Sequence, residues 1–447
     1  MRPSIVRRIL MLLPLLGSYA IAQQSLDALI ERELPKLNET YRHLHLNPEL
    51  SYQEEKTSAF LAKELRGLGF DVTERFGKYR EEGRTSYGIV AVMKNSSGPT
   101  VLVRTDMDAL PVEEKTGLPY ASTAKARNDA GQEVAVMQAC GHDIHMSSFL
   151  GTAAVLSKTK DRWKGTLIMI GQPSEERGAG AQAMLAGGLY EKFPRPDFAL
   201  ALHDNASLPA GTVGVTEGYA LANVTSVDIT VRGLGGHGAY PHLTKDPVVL
   251  AAEIVLALQT IVSRETSPID PAVVTVGSIH GGTKHNIIPD EVHMQLSVRS
   301  YKEEVRRKII RSIERIARGT AVAAGIPEDR MPLIETDESE LTAATYNNPV
   351  LTQRVMRALQ AALGKEKVVR LDPVMGAEDF GAFGLNDAIP LCMFWLGVID
   401  PAKVQQSEKD GVPLPSLHSS LFAPQPEPSI RTGVKATTSI VLDLMRR

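Results

Sequence analysis

The sequence predicts an α/β protein built on a mostly parallel sheet, into which a smaller unit of βαββαβ order is inserted. Three observations predict this. Short apolar runs at 87–93, 100–104, 166–171 and 198–202 are separated by longer segments, one of which reads as a helix, and strands alternating with helices imply a parallel sheet covered on both faces. From about Glu217 the texture changes, and strands with period-two alternation accompany two long helices. Beyond residue 335 a helix and a buried-looking strand resume the first pattern, so the segment between reads as an insertion.

Taken in order, residues 1–22 precede the fold. Arg2, Arg7 and Arg8 make a positive start, residues 9–16 an apolar run broken only by Pro14, and Ala20-Ile21-Ala22 a small-residue cleavage site. Together they predict a secretory signal. The apolar run is shorter than the roughly 20 residues that span a bilayer. A secreted or periplasmic chain starting near Gln23, with no stable membrane insertion, is therefore expected. Residues 26–47 carry apolar positions at helical spacing and stop at Asn47-Pro48, because proline disfavours helical backbone in the residue before it. A second helix is predicted over 52–68, closed by Gly69, and a third over 145–157, between the second and third strands.

The insertion runs strand 224–231, amphipathic helix 246–263, strands 272–279 and 292–299, basic helix 302–324 and short strand 331–334, a split-βαβ series. The main unit then resumes with helix 349–363, strand 391–397 and a closing helix over 430–445. Residues 400–416, rich in Pro, Lys and Gln, are expected to form a loosely ordered loop. The predicted organisation is signal 1–22, first part of the main unit 23–216, inserted unit 217–335 and second part 336–447.

Composition narrows the function. A hydrophobic fraction of 43% and a charged fraction of 23% are those of an ordinary globular protein. A formal net charge of -3 gives no electrostatic reason to expect nucleic acid or an anionic membrane as partner. The two cysteines, Cys140 and Cys392, read better as a ligand thiolate and a buried core thiol than as a disulfide.

The chemistry concentrates at Cys140-Gly141-His142-Asp143-Ile144-His145, where the glycine lets a thiolate and an imidazole turn toward one ion. The pair Glu175-Glu176 and His203 each follow an apolar run, and His418 stands in a polar loop. Parallel sheets hold ligands beyond the carboxyl ends of their strands, and Asp106, Glu175, Glu176 and His203 all fall there. A metal hydrolase needs one carboxylate to hold the ion and another, unligated, to take a proton from water. Taken singly these residues also admit blander readings: adjacent glutamates on a solvated face, His203 in the core, His418 on a surface loop. His145, one helical turn past His142, reads as a supporting residue.

Seven motifs occur in order: Asp106-Met107-Asp108, Cys140-Gly141-His142-Asp143, Ser174-Glu175-Glu176, Gly235-Gly236-His237-Gly238, His285-Asn286, Gly376-Ala377-Glu378-Asp379 and the late His418. In this the chain resembles the metal-dependent amidohydrolases of the zinc-peptidase family that includes aminoacylases, hippurate hydrolases and indole-acetyl-amino-acid hydrolases. The resemblance covers essentially all of the mature chain. It implies a catalytic domain with an inserted lid and dimerisation domain, and two divalent metal ions held by Cys140, His142, Glu176, His203 and His418. The mixed S/N/O donor set is compatible with Zn2+, while Mn2+, Co2+ or Ni2+ could activate in its place. Glu175 is then the general base, Asp106 a carboxylate that orients a ligand, and His237 an oxyanion-stabilising residue reaching across a homodimer interface. Asn286 and Arg299 are the expected grips on a substrate carboxylate, the guanidinium suiting bidentate pairing. The substrate expected is an N-acyl-amino acid. A dipeptidase or carboxypeptidase of the same family, and a non-catalytic exported protein that binds acyl-amino acids or metal, stand as alternatives. A thiol hydrolase and a zinc deaminase fit less well. Gln138, Arg177 and Ser420 depart from the family pattern without removing a donor.

Overall fold

The computed structural model of the chain describes residues 15–447. Residues 1–14, which hold the positive start of the expected signal and most of its apolar run, lie outside them. The first helix, α1 (Leu15–Leu46), passes through the expected cleavage region and ends where Asn47-Pro48 predicted. α2 (Glu55–Gly67) follows, and Gly69 at φ 87 closes that corner. The main-sheet strands are then β1 (Asp71–Phe76), β2 (Gly88–Asn95) and β3 (Thr100–Asp106). After α3 (His142–Lys158) come β4 (Gly165–Gln172), α4 (Gly180–Ala186), β5 (Phe198–Pro209) and β6 (Val213–Val215).

The inserted segment contains β7 (Asn223–Arg232), α5 (Pro247–Thr260), β8 (Ala272–His280), β9 (Glu291–Ser300), α6 (Glu303–Ala323) and β10 (Leu333–Thr342). The chain closes with α7 (Pro349–Leu363), β11 (Val368–Arg370), β12 (Leu391–Ile399), α8 (Pro401–Asp410) and α9 (Pro426–Leu444).

The main sheet has the order β1-β2-β4-β3-β5-β12-β6-β11. Its centre is parallel: β4 with β3, β3 with β5, and β5 with β12. The flanks reverse, β1 with β2, β2 with β4 and β12 with β6 being antiparallel, while β6 and β11 are parallel again. Successive side chains of a strand face opposite sides, and β3 uses both. Val101 and Val103 pack with Ile144, Phe149, Ile430 and Val434 of α3 and α9, and Leu102 packs on the other face with Met184, Phe380 and Phe383. α3 is buried from His142 to Leu156. Its polar residues must therefore find partners inside the protein, which makes its N-terminus a place for chemistry.

The inserted strands form a separate antiparallel sheet, β8-β9-β7-β10, with the last strand beside the first. Val227, Ile229 and Val231 alternate on the face covered by Leu250 and Ile254 of α5 and Ile309 and Ile313 of α6. α5 and the turn after it, Pro247–Glu265, are apolar enough by length and composition to cross a membrane. Here one stripe of that helix packs on the inserted sheet, leaving Val248, Val249 and Leu256 exposed.

Two expectations are corrected. Residues 400–416 are not a loose loop throughout, because α8 occupies most of the segment. Asp400 accepts the Ala402 N–H at 2.8 Å, Pro401 opens the helix and Gly411 at φ 68 ends it, the usual start and stop chemistry of a short helix. The edge strand β1, absent from the sequence prediction, pairs with β2 through a register shift.

Candidate metal centre

Two strand ends, the interior of a third strand, one helix start and a late loop build the site. β3 ends at Asp106, and β4 ends at Gln172 just before Ser174-Glu175-Glu176. His203 lies inside β5, two residues past Ala201, where its pairing with β3 stops and its pairing with β12 continues. Cys140 and His142 flank Gly141, whose φ of 76 starts α3 in the left-handed region. A Cβ on Gly141 would stand 1.9 Å from Asp204 Oδ2, so both the conformation and the close approach require glycine. His418, also left-handed at φ 66, donates its N–H to Ala139 O at 2.8 Å. That bond pins the distant loop beside Cys140.

All five expected donors come together. Cys140 Sγ lies 3.7 Å from His203 Nε2, and His418 Nε2 lies 3.4 Å from Glu176 Oε1. His142 Nε2 lies 3.9 Å from both Glu175 Oε2 and Glu176 Oε1. Two trios, Cys140/His142/His203 and Cys140/Glu176/His418, each have ligand atoms within 4.8 Å of one another and share the thiol. The tautomers follow from the outer bonds: His142 Nδ1 donates to Asp108 O at 2.7 Å and His203 Nδ1 to Asp204 O at 2.9 Å. Each ring then offers the lone pair of Nε2 inward, as a ligating imidazole requires.

The electrostatics fit a cation. His142 Nε2 and Glu176 Oε1 are buried with no hydrogen-bond partner among the described residues, a costly arrangement for polar atoms unless an ion takes them up. Burial, with the charges of Glu176 and Glu175, pushes the Cys140 thiol well above its usual value. Burial raises Glu176 to about 7, and burial with the charge of Glu378 raises Glu175 further. Burial holds His203 neutral. Divalent cations reverse the first two effects and use the third.

A surrounding layer holds these donors. Asp106 bonds His145 Nδ1 at 2.7 Å and Arg104 Nη1 at 2.5 Å, and lies 3.8 Å from His142 Nε2. The bond that orients the His142 ring comes from the Asp108 carbonyl instead. The Asp108 carboxylate accepts the N–H groups of Glu175 and Glu176 at 3.1 and 3.0 Å. Buried Arg104 also reaches Glu378 at 2.6 Å and Asp379 at 3.2 Å. His145 is raised to about 10 against the effect of burial by Asp106 and Asp204, yet the Asp204 N–H points at its Nε2 at 2.9 Å, a contact only the neutral ring can accept. Both cysteines are free and buried.

A cavity of about 490 Å³ opens on the donors and is walled by Leu221, Val224, Trp395 and Arg299 from both sheets. Arg299 lines this cavity and donates from Nη1 to Met375 O at 2.9 Å. His237 and Asn286 are not in this wall. Gly236–His237 pairs with Ile287–Ile288 at the surface of the insert, and Asn286 O accepts the Gly238 N–H at 2.9 Å. Within one chain both are exposed and outside the cavity. The sequence motifs contained Asp108, Glu378 and Asp379, but their roles depend on which backbone and guanidinium groups they meet.

Soft and hard donors gathered beside an extra carboxylate, at the carboxyl ends of a parallel sheet, define a metal-dependent hydrolase of amide or peptide bonds. The sequence profile of Peptidase family M20/M25/M40 matches residues 102–417, and the chain belongs to this family. It is 37% identical over 390 residues to thermostable carboxypeptidase 2 of Saccharolobus solfataricus, covering 85% of this chain and 88% of that one. It is 37% identical to N-acetyldiaminopimelate deacetylase of Leuconostoc citreum, covering 80% and 87%. The crystal structure of a dinuclear metal binding peptidase of the M20 family from Bacillus subtilis superposes with a TM-score of 0.73 at 26% identity, covering 93% and 99%.

Proposed function

We propose that the protein hydrolyses the amide bond of N-acyl-amino acids, using two divalent ions, Zn2+ being the first choice. The observation that carries this reading is the spare carboxylate: Glu175 faces the same cavity as the donors Cys140, Glu176, His203 and His418, and its Oε2 lies 3.9 Å from Nε2 of the fifth donor, His142. Ions bound by those five residues would supply Lewis-acid chemistry, acidifying water and polarising the amide carbonyl. Glu175 removes the proton from the attacking water and passes it to the departing amine. Burial and the charge of Glu378 raise its proton affinity above that of a free carboxylate, the direction that favours a general base. Arg299 receives the substrate carboxylate across the cavity.

His237 is assigned to the developing oxyanion of a neighbouring subunit. Its exposed place in the insert supports a homodimer, as do the exposed apolar residues Val248, Val249 and Leu256 of α5 and the edge of β8, unpaired among the described residues. Asn286, beside His237, would then act on the partner's substrate. Export is proposed from the N-terminal charge and apolar pattern alone, and N-terminal sequencing of exported protein would test it.

A dipeptidase or carboxypeptidase is the second reading, favoured by the likeness to thermostable carboxypeptidase 2. Both substrate types present an amide next to a carboxylate. The deciding experiment incubates protein loaded with Zn2+, Mn2+ or Co2+ with a panel of N-acyl-amino acids and dipeptides, and measures free amino acid. Release from hippurate-like compounds that stops on chelation supports the proposal. Release from dipeptides alone favours the second reading, and no release from either refutes both.

A further inference from the structure

The turn that presents Glu175 is held by its backbone. Three consecutive N–H groups end on buried carboxylates: Ser174 on Glu54 Oε1 at 2.7 Å, and Glu175 and Glu176 on the two oxygens of Asp108. Ser174 has φ 51, a left-handed conformation that is unfavourable for a non-glycine residue and so must be imposed by its surroundings. Glu54, just before α2 and fully buried, supplies much of that constraint. Its Oε1 also takes the Tyr52 N–H at 3.1 Å and the Ser174 hydroxyl at 3.2 Å. The same hydroxyl meets Tyr79 Oη at 2.8 Å and the Tyr52 N–H at 3.0 Å. Glu54 Oε2 has no partner among the described residues. One oxygen therefore does the holding.

We infer that Glu54 is a positioning residue for the general base: with Ser174 and Tyr79 it locks the backbone from which the Glu175 side chain reaches the reacting water. It belongs to none of the metal-donor groups. Burial and the charge of Asp108 raise its carboxyl to about 8, so a neutral amide is a close mimic of the acceptor it provides. The inference rests on the amidohydrolase reading.

The test compares Glu54→Gln, which keeps one acceptor oxygen, with Glu54→Met, which keeps the length and removes it, in the metal-loaded full chain. For Glu54→Gln, kcat should stay within about threefold of wild type. For Glu54→Met it should fall about thirtyfold, since misplacing a reacting group by an ångström costs on the order of a hundredfold. KM should stay within about twofold in both, because the substrate grip is untouched, and metal per chain likewise, because Glu176 keeps its own backbone bond to Asp108. Equal kcat in the two variants, or loss of metal in proportion to kcat, would overturn the assignment. If Glu54→Met does not fold, Tyr79→Phe decides: a kcat lowered several-fold at constant KM supports the inference, and an unchanged kcat overturns it. A wild-type protein that binds metal but releases no amino acid marks failure of the amidohydrolase reading instead, and the positioning role falls with it.

Discussion

Replacing Glu175 by glutamine separates catalysis from metal binding and from folding. The variant keeps side-chain length and the backbone N–H that Asp108 accepts at 3.1 Å, so the turn should hold its place. What is lost is a carboxylate able to carry a proton. General acid–base catalysis contributes about 10²–10⁴ in rate, or roughly 3–5 kcal/mol of barrier, and turnover should fall by about a hundredfold or more. The same substitution takes one ionisable carboxyl out of the group Glu175, Glu378 and Asp379, whose oxygens lie within 4.8 Å of one another. Repulsion inside that group is one of the causes that raise Glu175, so the metal-free variant should unfold at the same temperature as wild type or higher. Initial rates of amino-acid release, metal per chain by elemental analysis and thermal unfolding in chelator give the three readouts. Activity within tenfold of wild type, or loss of bound metal, would refute the assignment of Glu175 as an unligated base.

Three further outcomes follow from the geometry. Gly141→Ala places a methyl 1.9 Å from Asp204 Oδ2 at a φ of 76; a loss of about 2–4 kcal/mol in chemical denaturation and a fall in bound metal are expected, and wild-type values for both would contradict the account. His45, held by Asp143 at 2.7 Å and Glu114 at 3.2 Å, is raised from 6.5 to about 10 against the effect of burial. Its stabilisation is complete below about pH 6.5 and disappears as pH rises through 10, so the stability gap between wild type and His45→Gln should shrink over that window; a gap independent of pH would count against the charged pairing. Leu256→Asp changes a residue 73% exposed on α5; sedimentation should show dimer converted to monomer with kcat reduced, whereas a wild-type protein that sediments as a monomer removes the trans role of His237.

The parts of the fold legible in the sequence were those where burial writes a simple pattern. β3, β4 and β12 are apolar on both faces and stand out as runs. β7 alternates cleanly because only one face is covered. β1 did not stand out, since an edge strand carrying Glu74 and Arg75 looks like a loop until β2 pairs with it. For α8 the signals were present in Asp400-Pro401 and Gly411, but the polar composition between them outweighed the caps. At the site, the donors were readable because metal ligation needs particular side chains. On the catalytic turn, Asp108 and Glu54 act on backbone N–H groups 67 or more residues away, and no side-chain pattern announces that. His237 and Asn286 lie outside the cavity of their own chain, and their proposed roles need a second copy.

Anomalous diffraction from crystals grown with zinc tests the central claim most directly. Two peaks are predicted, bounded by Cys140, His142, Glu176, His203 and His418, with the Glu175 carboxylate facing them but not coordinated. An empty cavity at saturating zinc, or density showing Glu175 as a direct ligand, would contradict the account.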